Sequence, residues 1–122
     1  MTTEFESSKP IYMQIVDRII IDILQGKQKQ NEKLPSVRQM AVEMGVNPNT
    51  IQRAYGELER MNVVETRRGQ GTFVLNNTDL LDELRYSMQK EVMEHFVIKM
   101  KEIGITEEQL VAQLQTYLNK ED

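Results

Sequence analysis

The 122-residue chain contains no cysteine, no tryptophan and a single histidine, His95. Without cysteine there can be no disulfide, no thiol nucleophile and no thiolate metal site. One histidine offers no cluster for a zinc or di-iron centre, so no metal is expected. Long apolar runs are missing too. Ile19-Ile20-Ile21 falls far short of the roughly 20 apolar residues that cross a bilayer, so no membrane partner is expected. The opening MTTEFESSKP is polar and acidic, unlike a signal peptide. The expectation is a cytoplasmic chain with one small domain and an appendage, short enough to profit from a partner chain.

The charge that is present is unevenly spread. The net charge of −4 hides a basic middle, where Lys27, Lys29, Lys33, Arg38, Arg53, Arg60, Arg67 and Arg68 outnumber the acids over residues 26–75. Acidic segments flank it on both sides. Such a distribution lets one face approach phosphate while the rest is repelled.

Ile11, Ile15, Val16, Ile19, Ile20, Ile23 and Leu24 recur at the spacing of an amphipathic helix, predicting a first helix over 10–25 with Pro10 in its first turn and Gly26 as its stop. Residues 1–9 carry no such pattern and read as a loose arm. After a lysine-rich connection, Ser36 and Gln39 form a capping-box pattern opening a short helix over 36–44. Asn47-Pro48 restarts a helix at once, with asparagine as N-cap and proline first. Its inward face is Ile51, Ala54, Tyr55, Leu58 and Met61. Two helices joined by Gly45-Val46-Asn47 have the dimensions of a helix-turn-helix. Val63 to Arg67 and Thr72 to Leu75 then read as strands around a tight turn, Arg68-Gly69-Gln70-Gly71. That order is a winged helix-turn-helix, mainly α with a small β-hairpin (α+β), over residues 10–75.

The tract LPSVRQMAVEMGVNPNTIQRAYGELERMNVVETRRGQGTFV resembles the DNA-binding domain of the GntR family of bacterial transcription regulators. Its matching elements are Leu34-Pro35-Ser36 with Arg38, the helix around Asn49-Thr50-Ile51, and the wing Gly69-Gln70-Gly71-Thr72-Phe73-Val74. The short tail and the Pro10-Ile11-Tyr12 opening look most like the YtrA branch. That resemblance implies a small regulator without a large effector domain, often encoded beside transporter genes.

On the third helix Asn49, Gln52 and Arg53 lie opposite the buried stripe, while Asn47 and Thr50 belong to its first turn. Asparagine and glutamine amides can pair with adenine in the major groove. Asn49 and Gln52 are therefore candidate base readers, and Thr50 a phosphate contact. The resemblance implies that Arg38 touches DNA as well. Ser36 and Asn47 are candidates too; the capping role accounts for Asn47 equally well and for Ser36 better than base contact does. Arg67, Arg68, Gly69, Gln70 and Gly71 form a cationic hairpin tip suited to a phosphate or a minor groove. Many family members carry arginine where this chain has Pro48 and Gln52, so the resemblance does not specify the operator.

Residues 76–122 turn acidic and predict two helices with a break at Gly104. Leu84, Met88, Val92, Phe96 and Met100 mark the first. Thr106 and Gln109 form a capping box ahead of the second, with Leu110, Leu114 and Leu118 on its apolar side. Two helices alone enclose no core. The expectation is a two-helix dimerisation tail, giving a homodimer on a palindromic operator in double-stranded DNA. His95 reads as a surface or interface residue and the methionines as gap-fillers. A small-molecule effector at the dimer interface is one conceivable input, and no residue identifies it. No phosphate loop and no nucleophile–base pair appears, so neither catalytic residues nor a cofactor are expected. The competing reading is a winged-helix protein-interaction module that does not bind DNA.

Overall fold

The computed structural model describes Phe5 and residues 8–120, so the arm expected over residues 1–9 falls mostly outside the described residues. In chain order the elements are α1 (Ile11–Leu24), α2 (Val37–Met44), α3 (Pro48–Arg60), β1 (Val64–Arg67), β2 (Gly71–Val74), α4 (Thr78–Glu102) and α5 (Glu107–Lys120). The chain divides into two compact units, Met1–Leu81 and Asp82–Asp122.

In the first unit the apolar spacing translates directly into burial. Ile15, Val16, Ile19, Ile20 and Ile23 of α1 meet Ile51, Ala54, Tyr55 and Leu58 of α3, and Met40, Ala41 and Met44 of α2 close the same core. Val63, Val64 and Val74 seal it from the hairpin side. Pro10 stands one position earlier than expected, at the N-cap of α1, with its carbonyl accepting the N–H groups of Met13 and Gln14.

The sharp joint between α2 and α3 has a local cause. Gly45 adopts φ +68°, a left-handed conformation that costs glycine little. There its N–H bonds the carbonyl of Val42 while the N–H of Val46 bonds that of Ala41, closing the last turn of α2. Asn47 then caps α3, its Oδ1 accepting the N–H of Asn49 at 2.8 Å. Tyr55 adds a longer tie: its hydroxyl donates to the carbonyl of Pro35 at 2.7 Å, holding the loop before α2 against α3. Burial, with the charge of Glu43 adding to it, pushes this phenol well above the ordinary tyrosine range.

β1 and β2 pair in antiparallel register, Glu65 opposite Phe73 and Arg67 opposite Gly71. The lysine-rich connection ends in a short strand-like segment that extends this sheet. The N–H of Leu34 bonds the carbonyl of Thr72 at 2.8 Å, the N–H of Val74 bonds that of Glu32 at 2.9 Å, and Lys33 bridges to Phe73.

The second unit is built differently. α4 has no buried residue and α5 has one, Leu110. Their joint is well formed: Thr106 Oγ1 accepts the N–H of Gln109 at 3.3 Å, and Gln109 Oε1 accepts the N–H of Thr106 at 3.0 Å. The α4 stripe is looser than its spacing implies, because Val92 is 68% exposed while Leu84, Met88, Phe96 and Met100 are half-buried.

Candidate nucleic-acid interface

α3 turns its inner stripe to the core, so its opposite side is left for Asn49, Gln52, Arg53, Gly56 and Arg60, all exposed. One flank of that side faces α1. The Arg53 guanidinium lies 3.9 Å from the ring centroid of Tyr12, and these two residues line a shallow depression with Ile11, Asn49 and Thr50. Cation–π contact of this kind restricts a long side chain that solvent would otherwise leave free. The other flank faces the hairpin. Glu59 accepts from the Thr66 N–H at 3.2 Å and from its hydroxyl at 3.4 Å, strapping β1 to α3. Gln52 stands two helical turns before Glu59 and so shares the wing-side flank.

Arg60 is less available than its outward position suggests. It donates to Glu57 through Nε at 3.0 Å and through Nη2. This hydrogen bonding, supported by the charges of Arg60 and Arg53, holds the Glu57 carboxyl below its ordinary value.

At the start of α2, the Ser36 hydroxyl accepts the Gln39 N–H at 3.1 Å, and Arg38 is exposed on the following turn. In the wing, Arg68, Gly69 and Gln70 occupy the exposed tip and Gly71 begins the return strand. Arg67 departs from the expectation of a free tip arginine. Its Nε and Nη2 donate to Glu65 Oε2 at 3.1 and 3.0 Å, and its guanidinium stacks 4.1 Å from the Phe73 centroid. Alternation along β1 explains this, since Glu65 and Arg67 share one face of the strand and Phe73 is the cross-strand partner of Glu65.

The structure thus brings Asn49, Thr50 and Arg53 together beside α1 and links the wing to the Gln52 flank. Two contributors were missed by sequence reasoning, Tyr12 and Glu59. Both act across long sequence separations that helical periodicity does not report. Among the described residues there is no group of three or more His, Asp or Glu side chains able to hold a metal.

The family model for "Bacterial regulatory proteins, gntR family" matches residues 11–74. The chain belongs to the GntR family. It is similar to the uncharacterized HTH-type transcriptional regulator YhcF of Bacillus subtilis, at 49% identity over 96% of this chain and 97% of that protein. The HTH-type transcriptional repressor YtrA of the same organism is 41% identical over 85% of this chain and 81% of its own length. Among solved structures, a GntR family transcriptional regulator from Listeria monocytogenes superposes with a TM-score of 0.81 at 38% identity, covering 92% of this chain and 98% of that one. The DNA-binding domain of AraR in complex with operator ORE1 gives a TM-score of 0.53 at 30% identity, over 61% of this chain and 93% of that one.

This GntR-family chain is therefore a DNA-binding transcription regulator with a winged helix-turn-helix and a helical tail, and not an enzyme. The reading as an interaction module without DNA binding is not favoured. No helix among the described residues is long and apolar enough to cross a membrane.

Proposed function

We propose that the protein is a cytoplasmic homodimeric repressor that occludes a promoter by binding a palindromic operator beside its own gene. One observation carries this reading: the Glu59–Thr66 strap sets the cationic wing beside the amide-bearing flank of α3. α3 then enters the major groove, where Asn49 and Gln52 read base edges while Thr50, Arg53 and Arg38 hold phosphate. Asn47 and Ser36 hold the starts of the two helices and carry their N-terminal N–H groups to the backbone. The tip Arg68-Gly69-Gln70-Gly71 reaches the adjacent minor groove, with Arg67 behind it.

The tail supports dimerisation. Val111, Leu114, Tyr117 and Leu118 of α5, and Tyr86, Val92, Met93 and Ile98 of α4, stay between 42% and 72% exposed. Apolar surface of this extent on two helices marks an interaction face. A second copy covering it, through Val92, Leu114 and Leu118 with the half-buried Leu84, Met88, Phe96 and Met100 beside them, supplies the two recognition helices that successive half-sites need. Leu110 is already buried within the chain and drops out of the expected set. The YtrA relative is named a repressor, which supports the same direction of control. No residue identifies an effector.

The test is selection of duplexes from a random pool, followed by titration of the selected site. Arg68→Ala is expected to weaken binding to all sequences and flatten the salt dependence, whereas Gln52→Ala relaxes preference at one base pair. The paired substitution Phe96→Glu and Leu114→Glu is expected to give monomers in sedimentation and to cost operator affinity about 100-fold or more. Parental behaviour of all three variants would refute the assignment.

A further inference from the structure

The structure assigns Lys33 to the wing, and we propose that its ammonium is an additional contact to the DNA backbone. The inference rests on the DNA-binding reading of the hairpin given above. In sequence Lys33 belongs to the polar connection between α1 and α2, far from residues 64–74. In the fold, Glu32 and Leu34 exchange backbone hydrogen bonds with Val74 and Thr72, so the segment runs antiparallel beside β2.

Register then decides where the side chain goes. Lys33 is opposite Phe73, and Phe73 is opposite Glu65. Directly opposed residues share a face, and alternate residues along a strand share it too. Lys33, Phe73, Glu65 and Arg67 therefore lie on one face of the wing. Val64, Val74 and Leu34, on the other, are buried in the core.

The Lys33 stem is laid over Gly71. A Cβ at that glycine would stand 2.6 Å from Lys33 Cε and 3.4 Å from its Nζ, so any side chain there would displace the lysine. Gly71 is in turn the strand partner of Arg67. Two cations are thus steered to neighbouring positions on one face. Like charges in that relation are unfavourable in the free protein, and the nearby carboxylate, Glu65, is engaged by Arg67. Among the described residues no ion pair involves Lys33. A phosphate on this face would relieve the repulsion and accept from the ammonium. When the tip enters a minor groove, the sugar-phosphate strands run along the two faces of the hairpin, which sets one of them against Lys33 and Arg67.

Lys33→Met keeps the stem over Gly71 and removes only the charge. Titrated against the selected operator and an unrelated duplex, it is expected to bind both roughly 3- to 10-fold more weakly, with the log–log salt slope reduced by about one. Lys33→Arg should behave as the parent. Lys29→Met, in the connection before the added strand, should keep parental affinity and slope. A Lys33→Met protein with parental affinity and slope overturns the proposal, as does a weaker one whose slope is unchanged, because the stem alone would then matter. Lys33→Gln repeats the measurement should the methionine variant melt below the parent. If Arg68→Ala weakens binding and neither Lys33 variant does, the wing reading stands and Lys33 falls. If the parent binds no duplex, both fall.

Discussion

The winged unit and the tail carry apolar residues at comparable helical spacing, yet they treat them in opposite ways. In α1 and α3, Ile15, Ile51 and Leu58 have no measurable exposure. In the tail, Val92 of α4, Ile103 of the joint and Val111 of α5 are each about 70% exposed, at 68%, 74% and 72%. Periodicity identifies which face is apolar; it does not say what covers that face. Three helices and a sheet converge on one another in the first unit, and a two-helix arrangement has no third layer to close over it. The contrast places the buried core in the winged unit and leaves the apolar side of the tail exposed.

The strongest way to break this comparison is to make matched truncations in the two regions. Leu58→Ala removes a fully buried side chain at the α3 core, and the cavity left behind is expected to cost about 2–5 kcal/mol. Leu118→Ala trims a residue that is 57% exposed and should change monomer stability by less than about 0.5 kcal/mol. Denaturant unfolding of both variants, in the Phe96→Glu, Leu114→Glu background chosen to exclude the proposed self-association, measures the difference. Equal losses would mean that the tail has a core of its own.

Legibility followed the same division. Features that depend on neighbours within one turn could be read from residue types: the caps at Ser36 and Asn47, the paired capping bonds of Thr106 and Gln109, and the hairpin around Gly69. Their physics is local: in the caps a side chain meets a free backbone group two or three residues away. Features that depend on the path of the chain were hidden. Tyr12 reaches Arg53, Glu59 reaches Thr66 and Lys33 reaches Phe73 only once the helices have packed. The composition of the hairpin tip places Arg67 with Arg68, and the strand register that delivers Phe73 beneath Arg67 is a tertiary fact. In α4 the spacing itself misleads. Residues 84, 88, 92, 96 and 100 repeat every four positions, and each step turns about 40° past a full turn. The line wraps around the helix, so Val92 lies exposed between half-buried neighbours.

A subtler difference between core and surface is open to measurement at Tyr55. It is packed in the core but has a polar duty, donating to the Pro35 carbonyl that fixes the loop ahead of Arg38. Tyr55→Phe keeps the ring and removes the donor, and is expected to cost about 1 kcal/mol. Its pH signature separates the hydrogen bond from packing. Burial raises the folded-state phenol above its ordinary value of 10.0, so the folded protein keeps its proton where the unfolded chain begins to lose it. The stability is complete below pH 10 and declines as pH rises toward the folded value. Unfolding free energies between pH 8 and 11 (a range bracketing the ordinary phenol value) should fall more steeply for the parent than for Tyr55→Phe. Parallel profiles would show that the phenol is not held neutral by the fold.

The smallest expected effect concerns the two wing arginines, which the structure treats differently. Arg68 sits at the exposed tip, whereas Arg67 is held by Glu65 and Phe73. Glu65 and Arg67 are 44% and 40% exposed, so their mutual attraction is screened and contributes little to folding. Its larger consequence falls on binding. A phosphate that engages Arg67 competes with the Glu65 carboxylate for the same N–H groups, and the carboxylate repels it. Glu65→Gln keeps the shape and a weaker acceptor while removing that repulsion. Affinity for any duplex is expected to rise about threefold, with a steeper salt dependence and a melting temperature within about 2 °C of the parent. Weaker binding by this variant would reverse the assignment: Glu65 would then be the residue that aims Arg67 at the backbone, and the ion pair would belong to the bound state as well as the free one.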